Sequence, residues 1–243
     1  MKYTMLIDQS RCIGCAACTL ECKNQYDEAS FGVLRTRMAR YEKGEFPNNV
    51  LRYRKNACMH CLEEAACIGV CPVDAISYVK HENGGMVLID RDTCIGCGLC
   101  VGACPFDAPM VDEERVKAEK CSLCFERGLK GDETYCSEAC PTGAITFGER
   151  DELISKGEAR VSALIDKGRD QANLYGAEGT GVLIVLDYDP ADYELPDEST
   201  LAGNISLPKF ASAAGGLTVM AALGGLGLSC FRKIRTDRTD KVE

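Results

Sequence analysis

Cys94-Ile95-Gly96-Cys97-Gly98-Leu99-Cys100-Val101-Gly102-Ala103-Cys104-Pro105 decides how this chain is read. Its spacing, C-x2-C-x2-C-x3-C-P, puts three thiols on one tight loop and a fourth three residues on. Cys12, Cys15, Cys18 and Cys22 repeat that spacing without the proline. Cys58, Cys61, Cys67 and Cys71 are spaced C-x2-C-x5-C-x3-C-P, and Cys121, Cys124, Cys136 and Cys140 are spaced C-x2-C-x11-C-x3-C-P. Sixteen of the 17 cysteines thus fall into four quartets. Three closely spaced thiolates wrap one face of an iron–sulfur cubane, while a fourth reaches a different cubane. Sixteen ligands is the number that four [4Fe–4S] clusters require.

Two other uses of cysteine compete. A disulfide framework suits small secreted chains. Met1-Lys2-Tyr3-Thr4, however, leads into a short strand-like run rather than an apolar leader, and thiols three residues apart suit ligation. Structural zinc uses C-x2-C pairs but has no role for the third cysteine of the Cys12, Cys15, Cys18 run. The chain is acidic, with a formal net charge of −9, so nucleic acid is not an expected partner. With no tryptophan and 7% aromatic residues, the core of the first 150 residues is not expected to be an ordinary hydrophobic one. Clusters replace much of it in this reading, and the cluster-free chain is expected not to fold stably.

The chain also repeats internally. Tyr3–Asp8 precedes Cys12-Ile13-Gly14-Cys15 as Met86–Asp90 precedes Cys94-Ile95-Gly96-Cys97. Cys71-Pro72 runs into Ala75-Ile76-Ser77-Tyr78 as Cys140-Pro141 runs into Ala144-Ile145-Thr146-Phe147. Each reads as a short strand beside a cluster loop. His81-Glu82-Asn83-Gly84-Gly85 carries a hairpin signal. Residues about 56–110 therefore resemble a complete two-cluster ferredoxin, and segments 1–24 and 111–148 form a second, outer unit within a four-cluster domain 1–148.

The ferredoxin pattern implies that the last cysteine of each quartet crosses to the sister cluster. Cluster A then takes Cys12, Cys15, Cys18 and Cys140, and cluster B takes Cys121, Cys124, Cys136 and Cys22. Cluster C takes Cys58, Cys61, Cys67 and Cys104, and cluster D takes Cys94, Cys97, Cys100 and Cys71. Gly14, Gly96, Gly98 and Gly102 are expected to let backbone N–H groups approach the sulfides.

An insertion, residues 23–57, carries the basic run Arg35, Arg37, Arg40, Lys43, Arg52, Arg54 and Lys55. A charge run usually marks a solvated loop, yet an insertion this long is equally compatible with a docking surface. After residue 148 the pattern changes. Leu153, Ile154, Val161, Leu164 and Ile165 recur at helical spacing, weakened at Gly157, and Gly181–Tyr188 reads as a buried strand. A proline-marked linker completes the 149–207 extension.

Phe210–Phe231 is 22 residues long and carries no charge. At about 1.5 Å per residue it reaches about 33 Å, enough for a hydrocarbon core of about 30 Å. A transmembrane helix over 208–232 is therefore expected, with a charged tail at 233–243. Gly215, Gly216, Gly224, Gly225 and Gly227 suit close packing on other membrane helices. Arg232, Lys233, Arg235, Arg238 and Lys241 follow the span and only Lys209 precedes it, which places the C-terminus in the cytoplasm and the cluster domain on the outer side. The opposite topology, with a cytoplasmic cluster domain, needs no translocation of that domain. Cys230, at the edge of the span, is not a cluster ligand. The expected fold class is α+β, with tandem two-cluster ferredoxin-like units and a single C-terminal transmembrane helix.

The order of the quartets, Cys58-Met59-His60-Cys61, Cys104-Pro105-Phe106, Cys140-Pro141-Thr142-Gly143-Ala144-Ile145 and the terminal span together resemble the four-cluster electron-transfer subunits of molybdopterin oxidoreductases. The beta subunits of membrane-bound respiratory formate dehydrogenase are the nearest pattern, over essentially the whole chain. The resemblance implies a molybdopterin-containing catalytic alpha subunit, with molybdenum or tungsten, and a membrane b-type cytochrome gamma subunit in contact with membrane lipid. Electrons would pass from formate through the clusters towards quinone. Subunits of sulfur- or dimethyl sulfoxide-type reductases and hydrogenase partners share the quartets. The five residues Leu62–Ala66 inside the second quartet exceed the four usual in relatives, and the complete fourth quartet disfavours the nitrate-reductase variant with a three-iron cluster.

A stand-alone multi-cluster carrier or redox sensor is the second class of function. A self-contained enzyme is not expected. The only histidines are His60 and His81, no nucleophile–base arrangement exists, and no residue is assigned a catalytic role. His60, between two ligands, is expected to order solvent or hydrogen-bond near a cluster.

Overall fold

A computed structural model describes residues 2–200 apart from 27–29, 63–64, 82–83 and 129. In sequence order the elements are β1 (Tyr3–Asp8), α1 (Ala17–Gln25), β2 (Arg37–Lys43), β3 (Val50–Asn56), α2 (Ala66–Gly69), β4 (Ile76–His81), β5 (Gly84–Ile89), α3 (Leu99–Ala103), β6 (Met110–Asp112) and β7 (Lys117–Glu119). There follow α4 (Phe125–Gly128), α5 (Tyr135–Glu138), β8 (Ile145–Glu149), α6 (Arg150–Ile165), β9 (Asn173–Tyr175) and β10 (Val182–Leu186).

The two repeats close by the same pairing. β4 and β5 form an antiparallel hairpin with Ile76 opposite Ile89, and β1 and β8 pair antiparallel with Ile7 opposite Ile145. Ile76 and Ile145 occupy the same place after Cys71 and Cys140, as Ile89 and Ile7 do before Cys94 and Cys12. The Asp90 N–H donates to the Ala75 carbonyl at 2.7 Å, and the Asp8 N–H donates to the Ala144 carbonyl at 2.7 Å. One pairing is a local hairpin; the other joins the two ends of the cluster-bearing segment.

The outer pairing belongs to a four-stranded sheet of order β8-β1-β10-β9, in which β10 runs parallel to β1. The extension beyond residue 148 thus supplies an interior strand of the sheet that the first strand begins. Every residue of β10 is buried, which is why it reads as a continuous apolar run. Leu183 and Val185 join Leu6, Leu153 and Leu164 in a core under α6. Val182, Ile184 and Leu186 face the other way with Met5, Ile7, Ile145 and Phe147, onto Cys18, Cys58, Cys121 and Cys136. Cysteines therefore pack on an apolar sheet face. Gly157 does not break α6. It is buried, and a Cβ there would stand 2.7 Å from Leu174 Cδ1, so the glycine makes room for β9.

The basic insertion is not structureless, and it is solvated chiefly towards the hairpin tip, where the Arg40 and Lys43 side chains are both 65% exposed. It folds as the β2–β3 hairpin, and most of its cations turn inward. Arg35 pairs with Glu119 at 3.1 Å, Arg37 with Asp107 at 3.0 Å and Arg52 with Asp192 at 3.5 Å. Arg54 donates to the Glu194 carbonyl at 3.3 Å, and Arg52 lies 3.7 Å over the Tyr188 ring. Acceptors on three distant segments allow these cations to be buried, since a buried charge needs a partner. Arg40 stays at the exposed edge.

Phe210–Phe231, Cys230 and the basic tail lie outside the described residues. Among the described residues no helix is long and apolar enough to cross a membrane.

Candidate metal centres

All four cluster loops begin with one turn. In Cys12-Ile13-Gly14-Cys15, Cys58-Met59-His60-Cys61, Cys94-Ile95-Gly96-Cys97 and Cys121-Ser122-Leu123-Cys124 the third residue is left-handed, with φ of 70°, 50°, 67° and 55°. That conformation aims its N–H at the first thiol. The His60, Gly96 and Leu123 N–H groups donate to Cys58, Cys94 and Cys121 Sγ at 3.4, 3.5 and 3.3 Å, and the Gly14 N–H supports Cys12 likewise. Hydrogen bonds to sulfur favour the thiolate. Sequence reasoning found the two glycines and missed His60 and Leu123, because L-residues rarely adopt this conformation. Repeat alignment of the four C-x2-C loops was the available signal. Gly98 is the left-handed N-cap of α3, a position Ala16 fills before α1. Gly102 does neither. It sits inside α3 with open space where its Cβ would be.

The strand pairings bring thiols of different quartets together. Cys12 neighbours Cys140 and Cys15, and also acts on Cys18. Cys22 lies beside Cys121, Cys136 and Cys124. Cys61 and Cys67 both neighbour Cys58 and Cys104, and Cys100 neighbours Cys97, Cys94 and Cys71. Burial first, and then these neighbours, push Cys22, Cys61 and Cys67 up to about 12, and Cys100 and Cys124 up to about 11. Such crowded thiols become thiolates only when positive charge is brought among them, and bound iron is that charge. Cys140 goes the other way. Burial opposes its ionisation, but the Thr142 hydroxyl and the N–H groups of Ile145, Ala144 and Thr142 hold it below the usual thiol value.

Among the described residues no three His, Cys, Asp or Glu converge on a single ion. A pocket partly open to solvent is lined by Cys58, Cys61, Cys67 and Cys104 with Val87, Phe106 and Lys120. Cys15 and Cys97 are exposed, whereas Cys58, Cys121, Cys124 and Cys136 are buried. Two lysines lie inside. Lys55 is 3% exposed and Lys120 is 5% exposed, the latter donating to the carbonyls of Val87 and Cys121. His60 is buried, and neither ring nitrogen has a hydrogen-bond partner among the described residues. Its backbone, rather than the ring, serves the thiol.

Thiols of different quartets gathered on a ferredoxin-like scaffold are the mark of an iron–sulfur electron-transfer protein. Residues 49–150 match the 4Fe-4S dicluster domain and residues 9–27 the 4Fe-4S binding domain. The sequence is 34% identical, over 270 aligned positions, to the nitrate-inducible formate dehydrogenase iron–sulfur subunit of Escherichia coli, covering 100% of this protein and 90% of that one. It is 35% identical to a formate dehydrogenase iron–sulfur subunit of Haemophilus influenzae over 248 positions, 90% and 78% of the two proteins. One subunit of the anaerobic dimethyl sulfoxide reductase of Escherichia coli is 39% identical over 166 positions, 64% of this protein and 77% of that one. The protein is a member of the family of formate dehydrogenase iron–sulfur subunits, within the electron-transfer subunits of molybdopterin oxidoreductases. Its cofactors are [4Fe–4S] clusters, and it carries electrons without itself catalysing substrate chemistry.

Proposed function

We propose that this protein relays electrons through four [4Fe–4S] clusters between a molybdopterin-containing subunit that oxidises formate and a membrane b-type cytochrome that serves quinone. The ligand sets are Cys12, Cys15, Cys18 and Cys140 (A); Cys121, Cys124, Cys136 and Cys22 (B); Cys58, Cys61, Cys67 and Cys104 (C); and Cys94, Cys97, Cys100 and Cys71 (D). The observation that carries this reading is the meeting of thiols from different quartets, four to each cage.

When bound, the clusters supply one-electron donor and acceptor sites in series. The protein's part is to place and insulate them. Cys18 and Cys136 are neighbours, which puts A next to B, and Lys120 touches the Cys121 carbonyl while acting on Cys61 and Cys67, which puts B next to C. The exposed thiols, Cys15 and Cys97, belong to A and D. Electrons thus enter and leave at the two ends, past Ile13 on one side and Ile95 on the other, both exposed.

The Phe210–Phe231 segment anchors the subunit as a single transmembrane helix. The basic residues after it support a cytoplasmic C-terminus and a cluster domain on the outer side. Labelling of single introduced cysteines in intact cells tests this, because labelling of the cluster-domain face only after permeabilisation would reverse the topology.

Anaerobic purification of the tagged protein from native membranes, with an assay of formate-dependent viologen reduction, tests the main proposal. Co-purification with a molybdenum- or tungsten-containing subunit and formate activity is expected. A complex inactive with formate but active with a sulfoxide would favour a reductase of the dimethyl sulfoxide type, which the 39% identity to the dimethyl sulfoxide reductase subunit supports. Recovery of the protein alone would refute the assembly.

A further inference from the structure

β3 carries Lys55 into the outer half, where it is 3% exposed. The groups that act on it after burial are the thiols of Cys136, Cys121, Cys18 and Cys22, and no carboxylate is among them. These thiols come from two cages, Cys18 from A and the other three from B. The strand is held against the first loop by Tyr53, whose ring occupies the space that a Cβ on Gly14 would need. Burying an ammonium is strongly unfavourable unless an anion accompanies it. Arg35, Arg37 and Arg52, on the same hairpin and its approach, each have a carboxylate. Lys55 has thiols.

We propose that Lys55 is a positioning residue for charge, a shared counter-ion that raises the reduction potentials of clusters A and B together. The inference rests on the ligand sets given above. A thiolate-ligated [4Fe–4S] cluster is anionic in both oxidation states. Its reduction adds one electron from the preceding centre and moves no proton. A fixed ammonium in a poorly solvated site stabilises the reduced form more than the oxidised one. Lys55 stands between two cages, so its removal acts on both. Lys120, beside Cys61 and Cys67, provides the comparison: its removal lowers the potential of cluster C and leaves cluster A in place.

The test is an EPR-monitored redox titration of the intact complex with Lys55→Met, Lys55→Arg and Lys120→Met, with signals assigned by single cysteine variants and iron measured on each. In Lys55→Met the reduced-to-oxidised ratio of clusters A and B at a fixed poise is expected to fall about tenfold, equivalent to about 59 mV for a one-electron couple. Cluster D stays where it was, and Lys55→Arg keeps the native values. Native potentials for A and B in an iron-replete Lys55→Met complex overturn the proposal, as does a Lys55→Arg shift equal to that of Lys55→Met. If Lys55→Met loses iron, Lys55→Arg decides. Full iron and native potentials in Lys55→Arg support the charge role, while iron loss in both variants shows a packing role and overturns it. A wild-type complex in which Cys18 and Cys136 serve one cluster would instead overturn the ligand sets.

Discussion

Cys12 and Cys140 stand at opposite ends of the cluster-bearing segment and are neighbouring thiols. The cause is the β1–β8 pairing, which sets Ile7 against Ile145 and so fixes the distance from each strand to its cysteine. Cys12→Ser and Cys140→Ser are therefore expected to remove the same EPR signal. Cys58→Ser and Cys104→Ser should remove a second signal, different from the first. Loss of unlike signals within either pair would refute the crossed ligand sets.

Gly96 and Gly102 predict opposite outcomes from one substitution. Gly96 has φ +67°, and a Cβ there would lie 2.5 Å from the Val116 carbonyl carbon and oxygen. Left-handed backbone alone costs an L-residue about 1–2 kcal/mol, and rigid backbone cannot yield as a side chain would. Gly96→Ala is expected to lose the cluster on Cys94, Cys97 and Cys100, read as a fall in iron per protein. Gly102→Ala meets open space in α3 and should be neutral or gain up to about 1 kcal/mol.

Iron removal should abolish the compact state of residues 2–148, because buried thiols would be left without their partners. Chelation followed by scattering and circular dichroism reads this out, and an intact, cooperatively folding apoprotein would contradict it. The alkaline limb gives the sign independently. Cys22, Cys61 and Cys67 sit at about 12 when folded against 9.0 for an ordinary thiol, so any folded cluster-free chain holds protons that the unfolded chain has released. Its remaining stability is full below pH 9 and is lost as pH rises from 9 towards 12. The cluster-loaded protein, whose ligands are already thiolates, should show no such loss when ellipticity is followed over the same range.

Leu183→Ala tests the extension. Leu183 is fully buried under α6 and touches no cage, so its truncation is expected to cost about 2–5 kcal/mol. The visible absorbance of the clusters should bleach at a lower temperature, while their potentials stay native. A potential shift without a stability loss would show that this layer serves the clusters electrostatically.

The quartets, the strands at their flanks, α6 and β10 were legible in the sequence because each is a local pattern of spacing or apolar run. The ferredoxin repeat matched the strand before Cys12 with the one before Cys94, and the segment after Cys71 with the one after Cys140, but the pairings of Ile7 with Ile145 and of Ile76 with Ile89 came from the structure. What could not be read was non-local. Arg35 and Arg52 read as part of either a solvated loop or a docking surface because their partners, Glu119 and Asp192, lie far along the sequence. The left-handed turn at His60 and Leu123 was hidden because neither residue is one that favours it. The burial of Lys55 is invisible to a sequence pattern, since its environment is made of thiols from the first and fourth quartets folded together.

β10 is the last of the described strands to be synthesised, yet it lies between β1, the first, and β9. A nascent chain exposes Cys58 to Cys104 and their local hairpin long before Leu186 leaves the ribosome, so the inner half closes early and the outer half waits for a long-range contact. On this topology closure is expected to proceed from the middle of the sequence outwards. The thiols of the outer half are then expected to be the last shielded from oxygen or a competing metal.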